Sequence, residues 1–297
     1  MDVSLLAGIL AERLLAFTPG MDRAFFCIDR LGGGGERGQV RARRHRPRQD
    51  RLLRATASTA SPWAPSRSTA ATCSERLSSP LLPDCVAGAV QRPAGAGGGA
   101  ARQHDVAGFF VEPIQGKGVH VPADDYLPQA LALCRKHGTL FIADEIQTGM
   151  GRTGKFLACE HWGVDPDMVL LSKSLSGGFI PVGAVSTKQW IFVKLFDRMD
   201  RAMVHGSTFS KNDLGHGSRR SPTSGVIEDE KLVARAATLG DAILDDFRAF
   251  RDKYELVKDV RGKGLMIGIE FGAPRSLALK AAWGLLETAA ARACSAR

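Results

Sequence analysis

Three short apolar runs, each stopping near an ionisable residue, most constrain how this chain folds: GFFV before Glu112, TLFIA before Asp144, and MVLL shortly before Lys173. Runs this short, set between Gly, Pro and polar punctuation, read as buried strands of a parallel sheet. A helix separates the first two. From Asp124 to His137 the apolar residues Leu127, Ala130, Leu131 and Cys134 recur at helical spacing. Asp124 is the expected N-cap and Gly138 the expected stop. Strand, helix and strand with a right-handed crossover aim both strand ends the same way. In open α/β sheets a ligand lies just beyond those carboxyl ends. Glu112, Asp144 and Lys173 are therefore expected to converge on one crevice.

That set suits one chemistry. A buried lysine with a lowered pKa is a nucleophile toward an aldehyde and holds it as a Schiff base. Pyridoxal phosphate (PLP) held this way needs a carboxylate opposite its ring nitrogen, and Asp144 is the candidate. Gly177 and Gly178, after the lysine, let backbone pass close to such a group. Plainer readings exist for each residue taken singly. A lysine after a strand is ordinarily a solvated loop charge, Asp144 and Glu145 could start a turn, and Glu112 before Pro113 could end a strand. Their ordered combination favours the site.

The segments VEPIQGKGV, LFIADEIQTGMGRTGKF, PDMVLLSKSLSGGFIPVGA and HGSTFSKND, in that order, resemble the class III aminotransferases of the ornithine, acetylornithine, 4-aminobutyrate and putrescine type. The resemblance is dense from Val106 to Asp213 and looser to about Gly272. It implies a fold-type-I PLP-dependent α/β large domain, a mostly parallel sheet with helices on both faces, and a truncated C-terminal α+β small domain. Residue by residue it implies Lys173 as the Schiff-base lysine and Asp144 as partner of the pyridine nitrogen. Gln147 would lie near the ring hydroxyl, and Glu112 would order the acids under the ring. Thr208 would contact the cofactor phosphate of a neighbouring subunit, which implies a homodimer. The implied activity moves an amino group from an amine or amino acid to a 2-oxo acid. Where the ornithine enzymes carry a second Glu after VEPIQG, this chain has Lys117, a departure that weakens an ornithine assignment alone.

Composition excludes some classes. No run of eighteen apolar residues suggests a membrane span, and the N-terminus lacks a signal-peptide pattern. The cysteines at 27, 73, 85, 134, 159 and 294 show no CxxC pairing. Free thiols in a reducing cytoplasm are expected, with no metal site. The net charge of +9 is concentrated: residues 28–104 hold 13 Arg, no Lys and 5 acidic residues, a balance of +8. A nucleic-acid surface would mix Lys with Arg and interleave aromatics, and this stretch has only Trp63.

Four domain segments follow. Residues 1–27 start the large domain, with an apolar helical face at Leu5, Leu6, Ile9, Leu10 and Leu14, then a strand from Arg23 to Cys27. Residues 28–105 replace the expected phosphate-loop region with an Arg/Ala/Gly/Pro-rich stretch of no sustained period. A basic linker is one reading and out-of-frame translation another. GGERGQVRAR (Gly34 to Arg43), ATASTASPWAPS (Ala55 to Ser66) and VQRPAGAGGGAA (Val90 to Ala101) have encodings that shift to AVESAVKFAR, NSFHGLTLGAL and FNDLPALEEAL. These resemble family segments in family order, with PLLPDCV (Pro80 to Val86) an in-frame island. The frame-shift reading expects little packed structure there. It extends to LGHGSRRSPTSG (214–225) and AARACSAR (Ala290 to Arg297). Residues 106–225 form the large-domain core. Residues 226–297 supply a long helix from Val226 to Tyr254, with Leu232, Ala236, Leu239, Ile243 and Phe247 on one face. Two strands then follow, at Val257 to Val260 and Leu265 to Phe271. An inactive remnant of the same fold is the alternative function.

Overall fold

The computed structural model describes residues 4–27, 51–54, 85–87, 106–198, 212, 222–274, 276, 280 and 283–285. In chain order the elements are α1 (Leu5–Phe17), β1 (Arg23–Cys27), β2 (Arg51–Arg54), β3 (Cys85–Ala87), β4 (Val106–Val111), α2 (Tyr126–His137) and β5 (Leu140–Asp144). There follow β6 (Met168–Leu171), β7 (Gly183–Thr187), α3 (Gln189–Leu195), α4 (Pro222–Asp229), α5 (Leu232–Lys253), β8 (Val257–Lys263) and β9 (Met266–Phe271).

The three apolar runs become neighbours. β4, β5 and β6 lie side by side and parallel within a seven-stranded sheet of order β1-β7-β6-β5-β4-β2-β3. β7 is antiparallel to both β6 and β1. Strand alternation sends successive side chains to opposite faces. Phe109, Val111, Phe141, Val169 and Leu171 join one core, with Leu10 and Leu14 of α1 and Leu127, Ala130 and Cys134 of α2. Phe110, Leu140, Ile142, Met168 and Leu170 join a second core with Ile191 of α3. Because both faces are covered, the strands read as unbroken apolar runs.

α2 starts at Tyr126, with Asp125 rather than Asp124 at its N-cap. Asp125 makes no side-chain cap; its carboxylate accepts from Gln129 Nε2 at 2.7 Å. Gly138 ends the helix at φ +64, as expected. A buried carboxylate fixes the crossover. Asp167 accepts from Arg135 Nη1 at 2.5 Å and from Phe141 N at 2.8 Å, tying the end of α2 to β5 and to the start of β6.

β2 and β3 correct part of the reading of 28–105: both are short parallel strands that extend the sheet beyond β4. The island at Pro80 to Val86 overlaps β3. The three shifted blocks and the tail from Ala290 lie outside the described residues. α4 begins inside the run 214–225.

The long helix expected from Val226 is two helices, broken where Lys231 takes a left-handed backbone at φ +52. The buried seam of α5 is also rotated from expectation. Ala236, Gly240 and Leu244 are buried, and Leu239 is 42% exposed. The reason is close backbone approach. A Cβ on Gly240 would lie 2.2 Å from the carbonyl of Gly264, in the turn of the β8–β9 hairpin, so small residues face inward there. Leu244 then packs with Val257 and Val260.

Gly240→Ala tests this packing by its sign. Helix propensity favours Ala by ~1 kcal/mol, but the contact atoms are backbone and cannot swing aside. A net loss of about 1–3 kcal/mol in urea unfolding is expected, and a gain would show that the seam is loose.

Candidate active site

The strand ends deliver the expected residues to one place. Glu112 follows β4 and is buried; its Oε2 accepts from Gly116 N at 2.6 Å. Asp144 ends β5 and is buried, with Oδ1 3.4 Å from Ile146 N. Gln147, in the turn after β5, donates from Nε2 to Gly116 O at 3.2 Å. Its Oε1 accepts from Lys173 Nζ at 2.7 Å. A hydrogen-bonded chain therefore runs Glu112, Gly116, Gln147, Lys173 across the ends of three adjacent strands. Thr208 lies outside the described residues.

Lys173 is exposed, which corrects the expectation of a buried lysine. A parallel sheet brings its Cα to the strand ends, and its side chain reaches out to Gln147. Its backbone is unusual. Lys173 has φ +51, a left-handed conformation that costs a non-glycine residue about 1–3 kcal/mol and collects at functional sites. The turn Lys173–Ser176 is held by its neighbours. Ser172 Oγ donates to Val182 O at 2.8 Å, Leu175 is buried in the first core, and Gly177 and Gly178 follow at φ +69 and +84.

Glu145, next to Asp144, is the residue whose weight the sequence hid. Adjacent residues at a strand end point apart, so Glu145 goes under the loop rather than into the crevice. It is 1% exposed. Its Oε1 accepts from Cys159 N at 2.8 Å and its Oε2 from Thr148 Oγ1. Burial raises its pKa above the ordinary 4.5, and the hydrogen bonds from Thr148, Cys159 and Ala158 pull the other way. The signal available in sequence was a second acid directly after an apolar run, on the face opposite the first. Gly116 was also missed. A Cβ there would sit 2.7 Å from Gln147 Oε1 and 3.2 Å from Glu112 Oε2, so only glycine leaves both side chains in place. Cys27, Cys134 and Cys159 are buried free thiols, and burial pushes Cys134 up to about 12. Among the described residues no group of His, Cys, Asp and Glu could hold a metal ion, and no helix is long and apolar enough to cross a membrane.

Residues 87–291 match the family model "Aminotransferase class-III". The chain belongs to the class III aminotransferases. An ornithine aminotransferase from Plasmodium chabaudi chabaudi is 43% identical over 168 residues, 56% of this chain and 39% of that protein. Among solved structures, an ornithine aminotransferase from Toxoplasma gondii aligns at a TM-score of 0.77 and 30% identity, over 92% of this chain and 64% of that one. That structure has partial occupancy of PLP at its active site. An omega transaminase from Pseudomonas jessenii, in complex with PMP, aligns at a TM-score of 0.82 and 25% identity, over 92% and 66%. The chain thus spans less than two thirds of the T. gondii relative's length and 39% of the P. chabaudi one's. The fold of this class III member is the fold-type-I α/β architecture, with its mostly parallel sheet.

Glu145 should leave a pH signature. Its folded pKa is raised, so above 4.5 the folded chain keeps a proton that the unfolded chain has released. Its contribution to stability therefore falls as pH rises from 4.5 through the folded value, and is flat beyond it. In Glu145→Gln that slope should vanish from the urea midpoint measured against pH. The Gln variant should also be less stable at neutral pH by about 1–3 kcal/mol, because an amide NH2 then faces a donor. An unchanged pH slope would remove Glu145 from this role.

Proposed function

We propose that this chain is a PLP-dependent aminotransferase, moving an amino group from an amine or amino acid to a 2-oxo acid. The observation that carries the reading is Lys173: an exposed amine on a strained backbone, 2.7 Å from Gln147 Oε1, at the carboxyl ends of the parallel strands.

The residues present fit the cofactor. Gly116, with no Cβ, lets Glu112 and Gln147 close on the loop backbone, Asp144 supplies a buried carboxylate, and Lys173 supplies an exposed amine. PLP, when bound, supplies an aldehyde that condenses with amines and a ring that takes up the electron pair released at the substrate carbon. Lys173 Nζ would hold the cofactor covalently and, once an incoming amine has displaced it, would be the base that takes and returns the substrate proton. The Asp144 carboxylate would keep a proton on the pyridine nitrogen. Gln147 would orient the lysine amine from one side, and Glu112, through Gly116 N, would fix the loop that holds Gln147. The phosphate cup and Thr208 fall outside the described residues.

The 43% identity to an ornithine aminotransferase favours an ornithine-, acetylornithine-, 4-aminobutyrate- or diamine-like donor. Lys117, exposed between Gly116 and Gly118, replaces a carboxylate of the ornithine enzymes and widens the choice among these donors. We propose a homodimer in which Thr208 reaches the neighbouring subunit's cofactor phosphate. The buried free thiols accord with a reducing, cytoplasmic setting.

Lys173→Ala should lose the borohydride-fixed pyridoxyl label without unfolding, since an exposed side chain contributes little packing. A label that persists on another lysine would displace Lys173 from its role. Asp144→Asn should still take up PLP but lose turnover by about 10²–10⁴-fold, because an amide cannot hold the ring-nitrogen proton. Turnover at the unsubstituted level would make Asp144 a turn residue only. Absence of any label in the unsubstituted chain would favour the inactive remnant.

A further inference from the structure

The loop from Gly116 to His120 connects two parts of the molecule. On one side it carries the Gly116 N–H and C=O that bind Glu112 and Gln147. On the other it meets the C-terminal hairpin. Arg261, on β8, donates from Nε to Gly118 O at 3.0 Å. Its Nη1 binds Asp259 at 2.7 Å and Glu270 at 2.6 Å, and only 18% of the side chain is exposed. The two carboxylates hold the guanidinium in one orientation, which aims Nε–H at the loop. Gly268 of β9 completes the contact: a Cβ there would lie 3.0 Å from Val119 Cβ.

Such an anchor has something to restrain. Val119 has φ +51, and a β-branched residue in the left-handed region is strained. Left to itself Val119 would relax toward negative φ and swing the neighbouring peptides. Gly116 O would move with them, and Gln147 would lose the bond that orients its amide toward Lys173.

We propose that Arg261 is a positioning residue for the crevice: by holding Gly118 O it keeps the strained loop in place, and through Gly116 and Gln147 it sets the position of the Lys173 amine. This rests on the reading of Lys173 as the amine at work. It assigns the C-terminal hairpin a part in the large domain's chemistry that no contact between Arg261 and substrate is needed to explain.

The test uses the full chain and reads Lys173 directly. Acetylation by sulfo-N-hydroxysuccinimidyl acetate is followed by peptide mass spectrometry, with Lys136, exposed on α2, as internal reference. In Arg261→Gln the Lys173-to-Lys136 rate ratio should rise by about three- to tenfold, the factor for losing one hydrogen bond. The PLP concentration for half-maximal borohydride-fixed label should rise by a similar factor. Arg261→Lys keeps the charge between Asp259 and Glu270 but lacks the planar fork, so its ratio should rise equally while its urea midpoint stays near the unsubstituted value. Adding Val119→Gly to Arg261→Gln removes the strain and should return the ratio toward the starting value. A lowered urea midpoint with an unchanged ratio would make Arg261 a stability residue and overturn the proposal. So would a raised ratio that the double variant fails to correct. If the unsubstituted chain takes no pyridoxyl label, the cofactor reading fails instead, and the acetylation comparison still decides the role of Arg261.

Discussion

The crevice depends first on a carboxylate that never reaches it. Glu145 is buried beneath the loop that follows β5, where its oxygens bind Thr148 and the backbone of Cys159. Those bonds cross-link the start of the loop to its far end, fourteen residues on. Gln147 sits between them. Without the cross-link the turn carrying Gln147 would be an exposed connection with several accessible conformations, each ordered residue costing roughly 1–2 kcal/mol of backbone entropy. A buried charge is expensive unless its lone pairs are occupied. Here donors that the loop must supply lower the expense in part, which favours one closed arrangement of the loop. The neighbouring Asp144, at the end of β5, lies on the opposite side of the strand from Glu145.

Much of this was legible in the sequence. The apolar runs ending at Glu112, Asp144 and Lys173 carried both the parallel sheet and the convergence of the site, because burial on two faces leaves an unbroken apolar signature. Gly138 at the end of α2 was equally readable, since a left-handed stop favours glycine. Other features were hidden for definable reasons. Periodicity placed Leu239 on the inner face of α5, yet the helix lies against backbone at Gly264, and that demands Gly240 where apolar count asks for leucine. Periodicity also ran α4 and α5 together, because it registers which residues are apolar and not a single left-handed residue at Lys231. β2 and β3 come from a stretch without alternation. Their pairing is a property of the neighbouring strands as much as of their own residues.

The exposed Lys173 has a related cause. Reactivity suggested a desolvated amine, whereas the structure invests in its backbone and hydrogen-bond partner. A left-handed residue two positions past a strand turns the chain abruptly, so the side chain leaves the sheet edge beside Gln147 instead of continuing along the strand. Orientation of the amine is thus built into the main chain.

The two sheets are also less separate than their sequence positions suggest. The hairpin touches the site loops twice. Leu265 N donates to Arg152 O at 3.0 Å, and Gly264 lies so close to Thr153 that a Cβ would be 2.5 Å from its carbonyl carbon. Thr153 belongs to the same loop that Glu145 closes. Three residues before Gly264, the hairpin also reaches Gly118 through Arg261. The contacts therefore form a ring: the loop after β4, the hairpin, the loop after β5, and back through Gln147 to Gly116. In a ring no single loop can move without straining two others, which is how polar loops at strand ends hold a geometry that strands alone do not provide. Leu265 N and the Arg261 Nε–H belong to the hairpin, so the ring closes only with that hairpin in place. The crevice is thereby a joint product of both sheets, although Glu112, Asp144, Gln147 and Lys173 all sit at the strand ends of one.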